Sequence, residues 1–246
     1  MGAHWRRRLG FAAALAAVLW VLAACGDKGN ATYIEGLRVT ESARSSGDQM
    51  SVDELKKGVD RYRGEVERTI KASESLGTYY RMLGVAYMNR QMYGEALQSL
   101  EQAIRLYPEN EQLAYLAGVC AARASKAETD DAERTRLLSL AEKYYQRALF
   151  LFPDLRSALF GLAVVYSMEL GRPADALPLL VRLLAKDTSN VEAKMLLART
   201  HVALGNYEEA LRLYDAIAAA GVSADIKLQA EANAKEIEGR IVGADK

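Results

Sequence analysis

A chain of stacked helix pairs, with no strands, is predicted by three observations. Hydrophobic residues make up 50 % of the 246 residues, many of them Ala and Leu, which suits helices packed closely on one another. Apolar residues recur at helical i, i+3 and i+4 spacing from residue 51 onward. One pattern of small, aromatic and branched residues returns in four successive units between residue 77 and about residue 221.

The first unit, residues 77–108, shows the pattern in full. It reads Tyr80-x-x-Leu83-Gly84-x-x-Tyr87, then Ala96-x-x-x-Leu100-x-x-Ala103, then Pro108. Gly84 and Ala96 are small where two antiparallel backbones must approach. Leu83, Tyr87, Leu100 and Ala103 fill the space around that contact, and Pro108 stops the second helix. With these residues in place the unit resembles a tetratricopeptide repeat, whose signature is W-x2-L-G-x2-Y, A-x3-F and P on a period of 34 residues. Tyr80 stands for the Trp and Leu100 for the Phe. The resemblance implies a right-handed solenoid of helix pairs.

The other units follow in order. In the second, Pro108 to Pro153 spans 45 residues, 11 more than the period. Gly118 to Ala141 takes 23 residues against 12 from Gly84 to Ala96, so the excess lies between the two helices, around residues 124–134. Rich in Ala, Glu, Lys and Arg and free of Gly and Pro, that stretch is expected to lengthen both helices, with Thr129-Asp130-Asp131 as turn and N-cap. Few apolar residues there need burial, so the projection is expected to be wet and dispensable for folding. Leu159, Leu162-Ala163, Tyr166, Ala176 and Leu180 mark the third unit; Leu197-Ala198, His201, Ala210, Tyr214 and Ile217 mark the fourth. The repeats are thus expected at about 77–110, 111–155, 156–190 and 191–222. They are preceded by a helix at 51–75 and closed by a half-polar capping helix at 223–241. The 51–75 helix opens on a Ser51/Glu54 capping box and carries the stripe Leu55, Val59, Tyr62, Val66 and Ile70. It is expected to pack on the first repeat or to be a degenerate half-repeat.

The start of the chain addresses the membrane. Arg6, Arg7 and Arg8 precede a wholly apolar run, residues 11–24, too short for a typical spanning helix but suited to a signal-peptide core. Its end, Leu22-Ala23-Ala24-Cys25, resembles the lipobox of bacterial lipoproteins, which implies cleavage of residues 1–24 and a lipid on Cys25. Residues 25–50 are then the lipidated cysteine and a polar, flexible tether. Residues 51–246 form the repeat domain. Gly26, in place of an aspartate, follows the cysteine. By analogy with enterobacterial sorting this implies the outer membrane, with the folded part facing the periplasm.

Composition narrows the chemistry. The full chain has 32 basic and 32 acidic side chains, and loss of residues 1–24 leaves 29 against 32 because the three charges removed are arginines. No basic footprint for nucleic acid remains. Cys120 lies mid-helix without a pairing partner and reads as a packing residue. His201 occupies the slot of Tyr87 and Tyr166 and reads the same way. No phosphate loop, zinc motif or nucleophile elbow is present, so neither enzyme activity nor a cofactor is expected.

In the repeat family the first helices of successive units line a concave groove. Carried over by position, the groove residues are Arg81, Met82, Val85 and Met88; Tyr115, Leu116, Val119 and Arg123; Phe160, Val164 and Met168; and Met195, Leu196 and Arg199. Chaperone adaptors of the family clamp a peptide carboxylate with Lys, Arg and Asn there; here valines replace the asparagine. The expected surface is apolar, with Met and aromatic residues and an edge of arginines, suited to an envelope protein or peptide segment. The 51–75 helix or another copy of the protein in a homo-oligomer is the competing occupant. The resemblance implies an envelope-tethered adaptor, similar in architecture to type IV pilus pilotins and outer-membrane assembly factors. The alternative is an accessory lipoprotein of a transporter, oligomerised around a small hydrophobic ligand, like those of spirochaetes.

Overall fold

The structure, a computed structural model, describes residues 51–244. Within them nine α-helices follow one another: α1 (Val52–Asn89), α2 (Tyr93–Leu106), α3 (Glu111–Ala127), α4 (Asp131–Leu151), α5 (Arg156–Val164), α6 (Pro173–Lys186), α7 (Val191–Ala203), α8 (Tyr207–Ala219) and α9 (Ala224–Ala244). A π-helical turn, Val165–Glu169, continues α5. No strand occurs among the described residues. The lipobox and Cys25 lie outside them.

The chain divides into two compact units after Glu67. Of the first, the described part is the beginning of α1. It opens on the expected capping box: the Ser51 amide donates to Glu54 Oε2 at 2.9 Å and the Glu54 amide to Ser51 Oγ at 3.3 Å. The hydrogen bond from the Ser51 backbone holds the Glu54 carboxyl below its ordinary value. Leu55, Val59, Tyr62 and Val66 each remain about half exposed.

The helix expected to end at residue 75 does not end there. It runs on to Asn89 as one element of 38 residues. Gly77, the first residue of the first unit, lies within the helix and is buried against a distant ring. A Cβ at that position would run into the Tyr107 ring. The glycine serves close approach of two helices rather than a turn.

In the second unit the repeated pattern becomes paired helices. Ala96, Ala141, Ala176 and Ala210 are all fully buried. So are the residues one turn further on, Leu100, Tyr145, Leu180 and Tyr214, at 4 % exposure or less. In the first two pairs the large residue faces the small one of its partner helix: a Cβ on Gly84 would lie 2.8 Å from Leu100 Cγ, and one on Gly118 would lie 2.9 Å from the Tyr145 ring. Asn110 and Asn190 cap α3 and α7, accepting from the amides of Leu113 (3.0 Å) and Ala193 (2.8 Å).

The turns inside the pairs reveal a spacing that the sequence reading passed over. Tyr87 to Ala96 and His201 to Ala210 take nine residues, but Tyr166 to Ala176 takes ten. The turn-closing bond runs from the Met92 amide to Tyr87 O (3.0 Å) and from the Asn206 amide to His201 O (2.9 Å). In the third pair it runs from the Arg172 amide to Tyr166 O (2.8 Å), one residue longer. The extra residue is taken up as the π-turn, with the Leu170 amide donating to Val165 O at 2.9 Å. All three turns need a left-handed residue: Gly171 (φ 61°), Gly205 (φ 76°) and, in the first pair, Gln91 (φ 59°). Gln91→Gly is therefore expected to stabilise the protein by about 0.5–1 kcal/mol and Gly205→Ala to destabilise it by about 1 kcal/mol, read as opposite shifts of the urea midpoint.

The additional residues of the second repeat lengthen both of its helices, and the turn is Glu128-Thr129-Asp130. Glu128 Oε1 accepts from the amides of Thr129 (2.8 Å) and Asp130 (3.1 Å), and Asp130 Oδ1 accepts from Ala132 (3.1 Å). The tip is exposed, but the base is not wholly wet as expected. Ser125 is only 1 % exposed, its hydroxyl donating to Ala122 O. Beside it Lys126 Nζ lies 3.1 Å from Glu169 Oε1 in the π-turn. Replacing residues 127–134 by a short turn should then cost less than about 1 kcal/mol in a urea melt, since the groups lost are exposed or only partly covered. Cutting back through Ser125 should cost visibly more.

Candidate functional site

The first helices of the third and fourth pairs and α9 contribute side chains to a common hollow. Along α5 and its π-turn, Phe160, Val164 and Met168 face the same hollow. Helix α7 presents Glu192, Met195, Leu196 and Arg199 to it, and α9 adds Ile226 and Gln229. The hollow they line measures about 440 Å³. A second hollow of about 460 Å³ adjoins it, sharing Met168, Arg199 and Gln229 and running on past Ser167, Asn233 and Arg240. Together they form one trough with an apolar floor and a polar far end.

Its walls are fixed by internal bonds. Thr200 is fully buried on α7; its hydroxyl donates to Leu196 O at 2.7 Å and pairs with Ser167 Oγ at 3.1 Å. This ties α7 to the π-turn. Three consecutive side chains of the π-turn, Ser167, Met168 and Glu169, reach the trough. The ion pair of Lys126 with Glu169 closes one end, and Arg240 donates to Glu236 at 2.7 Å at the other.

All six groove residues expected from the third and fourth repeats converge here: Phe160, Val164, Met168, Met195, Leu196 and Arg199. Leu196, expected on the surface, is 6 % exposed and forms floor rather than rim. The eight residues from the first two repeats do not line the trough. Arg81, Met82, Val85 and Arg123 are exposed elsewhere, while Met88, Leu116 and Val119 are half-buried against the core. Tyr115 leans on Tyr145, ring centroids 6.1 Å apart. Sequence reasoning missed the wall supplied by α9. Its signal was present: Ile226, Gln229 and Asn233 follow i, i+3, i+7 along one edge of the face that carries the core residues Ala230, Ala234 and Ile237.

Among the described residues there is no cluster of metal-ligating side chains. Burial pushes the Cys120 thiol up to about 12, far from a reactive thiolate. His201 is half-buried at the end of α7, its Nδ1 3.4 Å from Asn206 Nδ2.

Residues 77–110 match one model of the tetratricopeptide repeat and residues 167–232 another. The chain carries tetratricopeptide repeats. A TPR repeat-containing protein of Borreliella burgdorferi is 20 % identical over 205 residues, covering 80 % of this chain and 89 % of that one. Protein O-mannosyl-transferase Tmtc3 of Drosophila melanogaster is 36 % identical over 78 residues, but the match spans only 8 % of that protein. Among solved structures, a thermophilic TPR protein of Thermus thermophilus superposes with a TM-score of 0.54 at 19 % identity, over 72 % of this chain and 95 % of that one. YrrB, described as a TPR protein with an unusual peptide-binding site, gives 0.53 at 22 % identity, over 78 % and 96 %. MamA gives 0.51 at 17 % identity, over 77 % and 99 %. At these identities the structures share the fold.

Proposed function

We propose that this protein is a scaffold tethered to a bacterial membrane by a lipid on Cys25, facing the periplasm and holding a segment of an envelope protein in the trough. Tetratricopeptide repeats generally serve as non-enzymatic platforms for binding protein or peptide partners. The observation that carries the reading is the convergence of Phe160, Val164, Met168, Met195, Leu196 and Arg199 on one open hollow. Such a surface, apolar with adaptable methionines and an arginine at its edge, suits a polypeptide segment. Among the described residues no helix is long and apolar enough to cross a membrane, so the tethering rests on the lipobox.

The test has two arms. Cys25→Ser should abolish labelling with palmitate and release the protein from membranes or trap it as precursor; equal labelling of variant and wild type would remove the lipid anchor. A photo-crosslinking residue at Met168 or Met195 should yield a defined adduct in intact cells, and Met195→Glu, paired with a crosslinker at Met168, should abolish it. The same crosslinker at Phe150, 85 % exposed on α4 and outside the trough, serves as the control. Adducts at Phe150 alone would place the partner elsewhere.

One observation favours the second reading, a small hydrophobic ligand. The 440 Å³ hollow falls within the range of small-molecule sites, about 300–1,000 Å³. Mass spectrometry of material extracted from the pure protein would reveal a bound compound.

A further inference from the structure

Two charges on the central helix of the trough have no ion-pair partner among the described residues. Helix α7 lines the hollow with Glu192, Met195, Leu196 and Arg199, an i, i+3, i+4, i+7 stripe. Other charges around the trough are matched: Lys126 with Glu169 at 3.1 Å, and Arg240 with Glu236 at 2.7 Å. Glu192 and Arg199 are both exposed, and no hydrogen bond or ion pair joins either of them to another described residue. Seven residues at 1.5 Å rise set the two positions about 10 Å apart along the helix. Between them lie Met195 and the floor residue Leu196, faced by Phe160 and Val164. Arg199 borders both hollows, so a segment lying along the floor passes the acid at one end and the base further on.

Resting on the reading of the trough as a polypeptide site, we infer that it selects an amphipathic helical segment whose apolar pair is flanked by charges of opposite sign. The segment matches stripe to stripe: a Lys or Arg against Glu192, two apolar side chains on Met195 and Leu196, and an Asp or Glu against Arg199. Seven positions separate its two charges, with the apolar residues at the third and fourth positions between. A segment with two acids or two bases places one like charge against the trough and is rejected at that end. The pairs are open to water, so each contributes modestly and selectivity comes from their sum.

The experiment uses the full chain in detergent micelles and four fluorescein-labelled 16-residue helical peptides. All carry the same leucine pair; the flanking positions are lysine and glutamate, two glutamates, two lysines, or two glutamines. Fluorescence anisotropy should show the lysine–glutamate peptide binding roughly five-fold or more tighter than either like-charged one, the preference shrinking as salt rises. Glu192→Lys should shift the preference to the two-glutamate peptide, and Arg199→Glu to the two-lysine peptide. Both sites are exposed, so unchanged thermal melts would confirm that folding is intact. If the four peptides bind alike and neither variant alters their order, the charge selection is overturned while the trough remains a peptide site. If none binds, and the protein runs as a dimer that Met195→Glu dissociates, a second copy fills the trough and the partner reading falls with the inference. If none binds and extraction yields a small apolar compound, both fall equally.

Discussion

Replacing Tyr145 with alanine is expected to destabilise the protein by about 3–5 kcal/mol, the range for deleting a buried aromatic ring. Tyr145 is 4 % exposed, and burial pushes its phenol well above the ordinary tyrosine value. Its ring is held between two glycines from successive helix pairs. A Cβ on Gly118 of α3 would come within 2.9 Å of the ring, and one on Gly161 of α5 within 2.7 Å. The obstructing atoms belong to a rigid ring packed on both sides, so they have little freedom to yield. Gly118→Ala and Gly161→Ala should therefore each cost about 1–3 kcal/mol as overpacking. Tyr145→Phe keeps the ring and should stay within about 1 kcal/mol of wild type. The ring joins the second pair to the third, so its loss should also lower cooperativity between them. Urea midpoints decide the matter: if Tyr145→Ala and Tyr145→Phe melt alike, the ring is not the peg described.

The same pair of residues shows what a sequence exposes and what it hides. Gly118 and Tyr145 are legible as partners because they occupy the small and large positions of one repeat. Gly161 is not, since nothing local says that a residue in the next unit touches the same ring. Gly77 is hidden for a related reason: its burial depends on Tyr107, thirty residues on. The lengthened helices of the second repeat follow from composition and counting. The π-turn follows from counting too, as ten residues where nine are usual, but a single extra residue is easily passed over. The groove positions of the third and fourth repeats meet on one hollow, bounded by two first helices and α9. Those of the second do not line it, and Tyr115 and its neighbours turn toward the core. Repeat position indicates which face a residue occupies; neighbouring bulk decides whether that face is hollow or filled.

Removing α9 is expected to unfold the fourth pair while leaving the second and third standing. Helix α9 buries Ala230, Ala234 and Ile237 against Ala198, Ala210, Tyr214 and Ile217, a cluster separate from the main core. Truncation after residue 222 would expose Tyr214 and Ile217, now 2 % and 1 % exposed, each worth about 1.5–3 kcal/mol when buried. A terminal pair has one neighbour only, so nothing on its far side offsets that loss. Ile237→Ala makes a gentler version and should cost about 2–5 kcal/mol locally. Hydrogen exchange should then show α7 and α8 losing protection while α3, α4 and α6 keep theirs. Because α7 and α9 wall the trough, the truncated protein should also lose the Met168 crosslink. The truncated protein retaining protection in α8 would mean that the fourth pair stands without its cap, and that the small separate cluster contributes little to the fold.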